Sequence, residues 1–319
     1  MRVGVLTSGG DAPGMNAAIR SSVRSLIHFG HTPVGIKRGF QGLVDKDFTE
    51  MNLRSVANII HRGGTILKTS RFPDFKLKKV RDSAFKNLSL NKIDRLIVIG
   101  GNGSYAGAKA LFKEHDFISC CIPGTIDNDI EGTDETIGFD TALNTAIEAI
   151  DRIRDTANSH ERLFIVEVMG RNNPDLPLAI SVACGAEYPL IYKTEADIQK
   201  AHKKIKDGLK KGKKSSIIIV AENDFNVIEK LQKSLKNEDL DYRTSVLGHI
   251  QRGGAPGAKD RILASQMGYL AAENISTLSK LSFVSKVKGE IKIFEYDKTP
   301  KKDISINKEF SKLIEVLSK

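Results

Sequence analysis

The sequence predicts an α/β protein with largely parallel sheets. Short apolar runs rich in Val and Ile (2–7, 94–99, 117–122, 163–168 and 215–220) alternate with longer stretches of helical periodicity. Several runs end in loops rich in glycine or polar turn formers. No internal repeat or low-complexity segment interrupts the alternation. At 319 residues the chain is long enough for a sizeable core, divided into two domains.

The first strand, Arg2–Thr7, leads through Ser8-Gly9-Gly10-Asp11-Ala12-Pro13-Gly14 into a helix over Met15–Phe29, with Ala17, Ala18, Val23, Leu26 and Ile27 on its apolar side. Glycines let backbone N–H groups approach an anion, and a helix N-terminus favours negative charge. The spacing matches neither GxGxxG nor a Walker motif, so alone it indicates only a loop able to hold phosphate. Thr32–Ile36 is a short strand in which Pro33 is tolerable only at the start or on an edge. Gly63-Gly64-Thr65 and Thr69-Ser70-Arg71-Phe72-Pro73 form either a plain turn or an anion clamp beside a ring. Asp94–Ile99 is a buried strand running into Gly100–Gly107 and a helix through Phe112, which repeats the strand–glycine–helix device. Phe117–Ile122 runs into Pro123-Gly124-Thr125-Ile126-Asp127-Asn128-Asp129. Here two carboxylates stand two residues apart, so one can take a proton while the other holds a cation. Three such loops at the C-terminal ends of parallel strands converge on one crevice.

In the second half, helices are expected over Phe139–Ala157, Asp175–Cys184 (stopped by Gly185), Glu195–Lys211, around Val227, Leu231 and Leu235, over Asp260–Ile275, and over Asn307–Leu317. Strands are expected at Leu163–Val168, Pro189–Tyr192, Ser215–Val220 and Ser245–Leu247, with β-structure from Val284 to Tyr296 broken at Lys288-Gly289. Arg162, Arg171, Arg243, His249 and Arg252 fall at strand or loop ends, a ring of cations suited to a phosphorylated substrate. Glu222, at a strand end, could accept from sugar hydroxyls.

Composition narrows the function classes. Forty per cent hydrophobic and 28% charged residues are ordinary for a globular chain. No apolar run reaches a membrane span, and the N-terminus enters a strand with no signal-peptide pattern. Three cysteines form no disulfide framework or metal spacing, so a reducing, cytoplasmic setting is expected. The net charge is +10, with the densest lysines (203, 204, 206, 210, 211, 213 and 214) around Ile198, Ala201, Ile205 and Leu209 at helical spacing. That is a solvated helix face. No aromatic residues interleave with it, and no nucleic-acid motif appears, so nucleic acid is not an expected partner.

These residues together resemble the bacterial ATP-dependent phosphofructokinases over residues 2 to about 275. The matching pieces are Thr7–Asn16, Pro123–Asp129, Met169-Gly170-Arg171 and Gly248–Gly254, in this order. The stretch from Ser276 onward is less recognisable. The resemblance implies two Rossmann-like domains with the active site in the cleft between them. One is a nucleotide-binding domain of residues 1–138 and 252–305; the other is a sugar-phosphate domain of 139–251 and 306–319. It implies transfer of the γ-phosphoryl group of ATP to the 1-hydroxyl of fructose 6-phosphate, a glycolytic reaction using Mg2+. By the family pattern Asp127 is the base, Thr125 and Arg171 serve the transferring phosphoryl group, and Asp129 and residue 102 lie near magnesium. Gly10, Arg71, Phe72, Asn102, Gly103, Ser104 and Gly107 fall at nucleotide positions. Met169, Gly170, Glu222, His249 and Arg252 fall at sugar-phosphate positions. Arg162 and Arg243 do too, reaching in from a neighbouring subunit of a homotetramer.

Gly103 and Gly124 stand where pyrophosphate-dependent relatives carry Asp and Lys, which favours ATP. The chain departs from the family in three places. Asn102 replaces a magnesium-associated Asp, and Lys68 replaces a glycine. In the allosteric effector pocket Arg20, Arg24, Arg154, Gly185, Glu187, Lys211 and Lys213 match, but Ala57 and Asn58 replace a hydroxyl and a carboxylate. The alternatives are a nucleotide or sugar-phosphate sensor that lost turnover, motivated by Asn102, and a pyrophosphate-dependent enzyme, disfavoured by the two glycines. The base at Asp127 argues for an enzyme.

Overall fold

The computed structural model describes residues 1–222, 225–236, 240–302 and 305–318. Two compact units emerge: Met1–Thr141 with Arg252–Lys302, and Ala142–Gln251 with Asp303–Lys319. In chain order the first unit holds β1 (Arg2–Ser8), α1 (Met15–His28), β2 (Thr32–Ile36), α2 (Gly39–Asp45), β3 (Phe48–Glu50), α3 (Lys78–Leu90), β4 (Arg95–Gly100), α4 (Asn102–His115), β5 (Ser119–Pro123) and the start of α5 (Phe139–His160). The second continues with β6 (Leu163–Val168), α6 (Asp175–Ala183), β7 (Tyr188–Leu190), α7 (Glu195–Lys210), β8 (Ser216–Ala221), α8 (Phe225–Leu235) and β9 (Tyr242–Val246). The chain then returns to the first unit for α9 (Ala258–Asn274), β10 (Ser282–Val287) and β11 (Glu290–Glu295), and ends in α10 (Ser305–Leu317).

The first sheet has the order β11-β10-β5-β4-β1-β2-β3. Its central strands run parallel, and β3 and β11 are antiparallel edges. Central strands covered on both faces must be apolar throughout, and Val3, Val5, Leu6, Ile97, Val98, Ile99 and Ile122 are all fully buried. Pro33 sits at the start of β2, where its carbonyl accepts from the Met51 N–H just beyond β3, so the pairing there lacks only the N–H that proline cannot supply. The stretch after Ser276 supplies the β10–β11 hairpin, which pairs with β5.

The second sheet has the order β7-β8-β6-β9, all parallel. Its β9 is an edge strand with mostly exposed or half-buried residues, which is why apolar patterning predicted only the stretch from Ser245. The expected strand at Pro189–Tyr192 begins one residue earlier and ends two earlier, at Leu190, because the Tyr192 N–H is taken by Asp197 in the turn that opens α7. The lysine-rich α7 buries Ile198, Ala201 and Ile205, and its lysines face outward or lie half-buried.

Apolar periodicity missed α2, β3 and α3. The buried stripe of α3 is Arg81, Ala84, Asn87 and Leu88. Its polar members are satisfied by other segments: Arg81 donates to the Phe75 carbonyl and grips Glu114, and Asn87 donates to the carbonyls of Leu43 and Val44. Half of the inward face therefore reads as surface in the sequence.

Candidate active site

In the first unit, register places the ends of β1, β4 and β5 side by side: Ser8 pairs with Gly100 and Gly100 with Pro123. The chain leaves β1 toward β2 on one side and returns to β4 on the other, so the crevice between β1 and β4 is the switch point of the sheet. The three polar loops emerge together there. The Ser104 hydroxyl donates to the Ser8 carbonyl at 3.0 Å and fastens two of them. The loop after residue 62 is fastened as well: Asn16 bridges the carbonyls of Arg62 and Gly63 and the N–H of Ile66, and the Thr69 hydroxyl donates to the Gly9 carbonyl.

The two glycine loops differ. At the start of α1, residues 12–16 are buried, and a Cβ at Gly14 would meet Ile137 at 2.6 Å. That helix end is packed into the protein, so the accessible part of the loop expected to be able to hold phosphate is Gly9–Asp11. At the start of α4, by contrast, Asn102 and Gly103 are exposed, and among the described residues a Cβ at Gly103 would meet no atom within 4 Å. This is the helix N-terminus open to an anion. Gly107 has a packing reason as well, since the Phe40 ring lies 2.7 Å from where its Cβ would sit. Arg71 is exposed and Phe72 is half-buried, tilted toward Phe75.

The loop after β5 is braced from behind. Thr125 N–H donates to the Ile137 carbonyl, the Thr136 hydroxyl donates to the Thr125 carbonyl at 2.6 Å, and Asn128 donates to the Asp134 carbonyl. Thr125 Oγ1 accepts from the Asp127 N–H at 3.2 Å, and its side chain lies near Gly101 at the start of α4. Asp127 is 1% exposed, and its Oδ1 lies 4.0 Å from Nη2 of Arg252, itself buried. Arg252 also donates to the Asp11 carbonyl, and a Cβ at Gly10 would sit 2.7 Å from its Nη1. Thus Gly10, Asp11, Asp127 and Arg252 form one cluster. Asn102 Nδ2 donates to the Asp129 carbonyl at 3.1 Å, joining the α4 start to the same loop. Lys302, which sequence reasoning missed, donates its ammonium to the Asn128 carbonyl. Nothing in the sequence sets it apart from the other lysines of the tail.

In the second unit the candidate residues divide between two edges of the sheet. Met169, Gly170 and Arg171 follow β6, Glu222 follows β8 and His249 follows β9, all at the C-terminal edge. The Arg171 N–H donates to Glu222 Oε1 at 3.3 Å, and the Met169 N–H to Gln251 Oε1 at 2.8 Å. Gly170 has φ 139, and a Cβ there would meet Pro177 at 2.9 Å. Arg162 and Arg243 lie at the N-terminal edge instead, where both bind Asp241. With desolvation opposing, the two guanidiniums hold the Asp241 carboxyl below its ordinary value. The full length of β6 separates them from the other edge, about 17 Å at about 3.3 Å per residue. A single ring of cations within this unit is therefore ruled out.

Of the effector-pocket residues, Lys213 pairs with buried Glu187 at 2.5 Å, Glu187 also accepts from the Ile217 N–H, and Arg154 donates to the Cys184 carbonyl beside Gly185. Lys211 is exposed, and Arg20 and Arg24 lie on α1 of the first unit.

A phosphofructokinase family model matches residues 2–275. The chain belongs to the phosphofructokinase family. It is 54% identical over 272 residues to the ATP-dependent 6-phosphofructokinase of Clostridioides difficile, covering 85% of each chain. It is 48% identical to that of Caldanaerobacter subterraneus over 99% of this chain and 98% of the relative, so the β10–β11 and α10 stretch is shared with a family member. Among solved structures, Pichia pastoris phosphofructokinase in the T-state superposes with a TM-score of 0.86 at 33% identity. The match takes in 99% of this chain and about a third (36%) of the yeast one. A pyrophosphate-dependent phosphofructokinase from Marinobacter aquaeolei superposes at 0.82 with 18% identity over 99% of this chain and 91% of that one, a likeness of fold. Among the described residues no helix is long and apolar enough to cross a membrane.

Proposed function

We propose that the chain is an ATP-dependent 6-phosphofructokinase, a glycolytic enzyme of the cytoplasm. It moves the γ-phosphoryl group of ATP to the 1-hydroxyl of fructose 6-phosphate, yielding fructose 1,6-bisphosphate and ADP. The observation that carries the reading is Asp127, buried in the loop after β5, which Asn102 joins to the open start of α4, and paired with Arg252. Asp127 takes the hydroxyl proton as the new O–P bond forms and the bond to the β–γ bridging oxygen breaks. Phosphoryl transfer needs mainly positioning and charge neutralisation. The first-turn N–H groups of α4 and the backbone of Gly9–Asp11 supply donors for the ATP phosphates, and Thr125 and Arg171 serve the group in flight. Gly103 leaves room for the rest of the nucleotide, whereas a side chain at Gly124 would press on Ile99 and Met15 at 3.1 and 3.2 Å. Met169, Glu222, His249 and Arg252 hold the sugar phosphate.

Magnesium fits the donors present. Asp129 offers a carboxylate, and Asn102, engaged through Nδ2, keeps Oδ1 for a cation. These are hard oxygen ligands of the kind that hold magnesium by one or two groups beside phosphates. When bound, the ion neutralises charge on the ATP phosphates.

We further propose a homotetramer with shared sites. Arg162 and Arg243 stand at the edge away from Glu222, so they suit a neighbour's 6-phosphate better than their own. Effector control is only partly supported, since Ala57 and Asn58 break the matched set.

The test is a coupled assay with fructose 6-phosphate and either ATP or pyrophosphate. Turnover is expected with ATP; turnover with pyrophosphate alone, or with neither, rejects the reading. Asp127→Ser is expected to lower turnover by roughly 10²–10⁴ with little change in sugar affinity. Mixing it with Arg243→Ala is expected to restore part of the activity. No recovery after confirmed subunit exchange rejects the shared site.

A further inference from the structure

The C-terminal edge of the four-stranded sheet carries an acidic pair. Glu167, near the end of β6, is buried, and Glu222 follows β8. Burial first, and then the charge of Glu222, push the Glu167 carboxyl above its ordinary value, with Lys193 opposing. A phosphorylated sugar brought to this edge would meet the same negative charge.

Lys193 lies on the turn between β7 and α7, and its ammonium donates to the Glu222 backbone carbonyl. Glu222 therefore has a cation at its main chain, and its side chain accepts from the Arg171 N–H. The turn is built to hold this lysine. Lys193 has φ 59, a left-handed conformation that a non-glycine residue keeps only where its surroundings over-determine it. Buried Asp197 provides that constraint. Its Oδ2 accepts from the N–H groups of Tyr192 and Lys193 at 3.0 and 3.2 Å, and its Oδ1 accepts from the Tyr188 hydroxyl at 2.6 Å. Asp197 is itself fixed in the first turn of α7, where its N–H donates to Thr194 Oγ1 at 3.1 Å.

We propose that Lys193 is a positioning residue for the sugar phosphate: it fixes the strand end that presents Glu222 and offsets the paired charge of Glu167 and Glu222. This rests on the fructose 6-phosphate reading above. Lys193 acts through Glu222 and needs no contact of its own with the substrate.

The full-length protein is assayed with fructose 6-phosphate and ATP varied in turn, as wild type, Lys193→Met, Lys193→Gln and Lys193→Arg. Lys193→Met is expected to raise the sugar KM about tenfold, the worth of one hydrogen bond from a charged donor. Its kcat should stay within about twofold and its KM for ATP should be unchanged. Lys193→Arg, which keeps charge and donors, is expected to restore most of the affinity. Lys193→Gln keeps a donor without the charge and should fall between; it also serves if Lys193→Met folds poorly by its melting temperature. An unchanged sugar KM in both uncharged variants overturns the proposal, as does a loss spread equally over kcat and both substrates. Calorimetric titration with fructose 6-phosphate separates the two readings. A wild type that binds the sugar phosphate but turns nothing over sinks the kinase reading, and the binding difference between wild type and Lys193→Met still decides the role of Lys193. A wild type that binds none overturns both.

Discussion

After β1 the chain turns through Gly9–Gly14 into α1, whose first residues are packed beneath Ile137. After β4 it turns through Gly100-Gly101 into α4, whose first residues, Asn102 and Gly103, are open. Both are strand–glycine–helix devices on neighbouring strands. An exposed helix start presents its N–H groups to an anion; a covered one has already spent that surface on packing. In the first loop glycine makes room for protein: Ile137 against Gly14 and the Arg252 guanidinium against Gly10. In the second, Gly103 makes room for a ligand.

The sharpest test of this contrast sets Gly14→Ala against Gly103→Asp. Gly14 has φ 105, and its Cβ would sit 2.6 Å from Ile137. The substitution is expected to destabilise the fold by about 2–4 kcal/mol, read by urea denaturation. Gly103→Asp should leave stability within about 0.5 kcal/mol, because an acidic residue suits a helix N-terminus. It should weaken ATP binding at least roughly tenfold, through like charge against the phosphates. If ATP affinity survives, α4 is not the phosphate site and the contrast fails.

A smaller effect is expected at Asn102. Asn102→Asp adds a charge at the start of α4 but removes the donor to the Asp129 carbonyl. Lower magnesium at half-maximal rate and about tenfold higher turnover are expected, the worth of one electrostatic contact less the lost bond. Initial rates against free magnesium decide it; superimposed curves would mean that residue 102 serves the loop and not the metal.

The smallest effect is expected at Lys68, which has φ 57 and whose carbonyl accepts from the Thr7 hydroxyl at 2.9 Å. Lys68→Gly relieves the left-handed strain, while glycine raises the entropy of the unfolded chain, so stability should move by less than about 1 kcal/mol. The KM for ATP should rise about two- to fivefold as a cation leaves the loop beside Gly9. An unchanged KM would place the Lys68 charge away from the phosphates.

The alternation of elements and the three polar loops were legible because their signals are local: an apolar run, a glycine, a Pro-Gly turn. The α3 helix was not, because Arg81 and Asn87 occupy its buried stripe and find partners far away in the chain. The role of Arg252 was half legible. Its residue type suggested an anion, but its pairing with Asp127 joins positions 125 residues apart (252 − 127). Lys193 and Lys302 gave no signal, since each is one lysine among many.

By itself the sequence determined most of the strands and helices, though not α2, β3 or α3, that acidic and glycine-rich loops end three of the strands, and which family's motifs the chain carries. Hydrophobic periodicity and backbone freedom act over a few residues, and a linear chain displays them. Only the tertiary structure decided that β1, β4 and β5 are neighbours, that the α1 start is covered while the α4 start is open, and that Arg162 and Arg243 stand a strand's length from Glu222. Each of these depends on which distant segment packs against a local motif. That is settled by burial and hydrogen-bond satisfaction across the whole domain, not by any residue's neighbours in sequence.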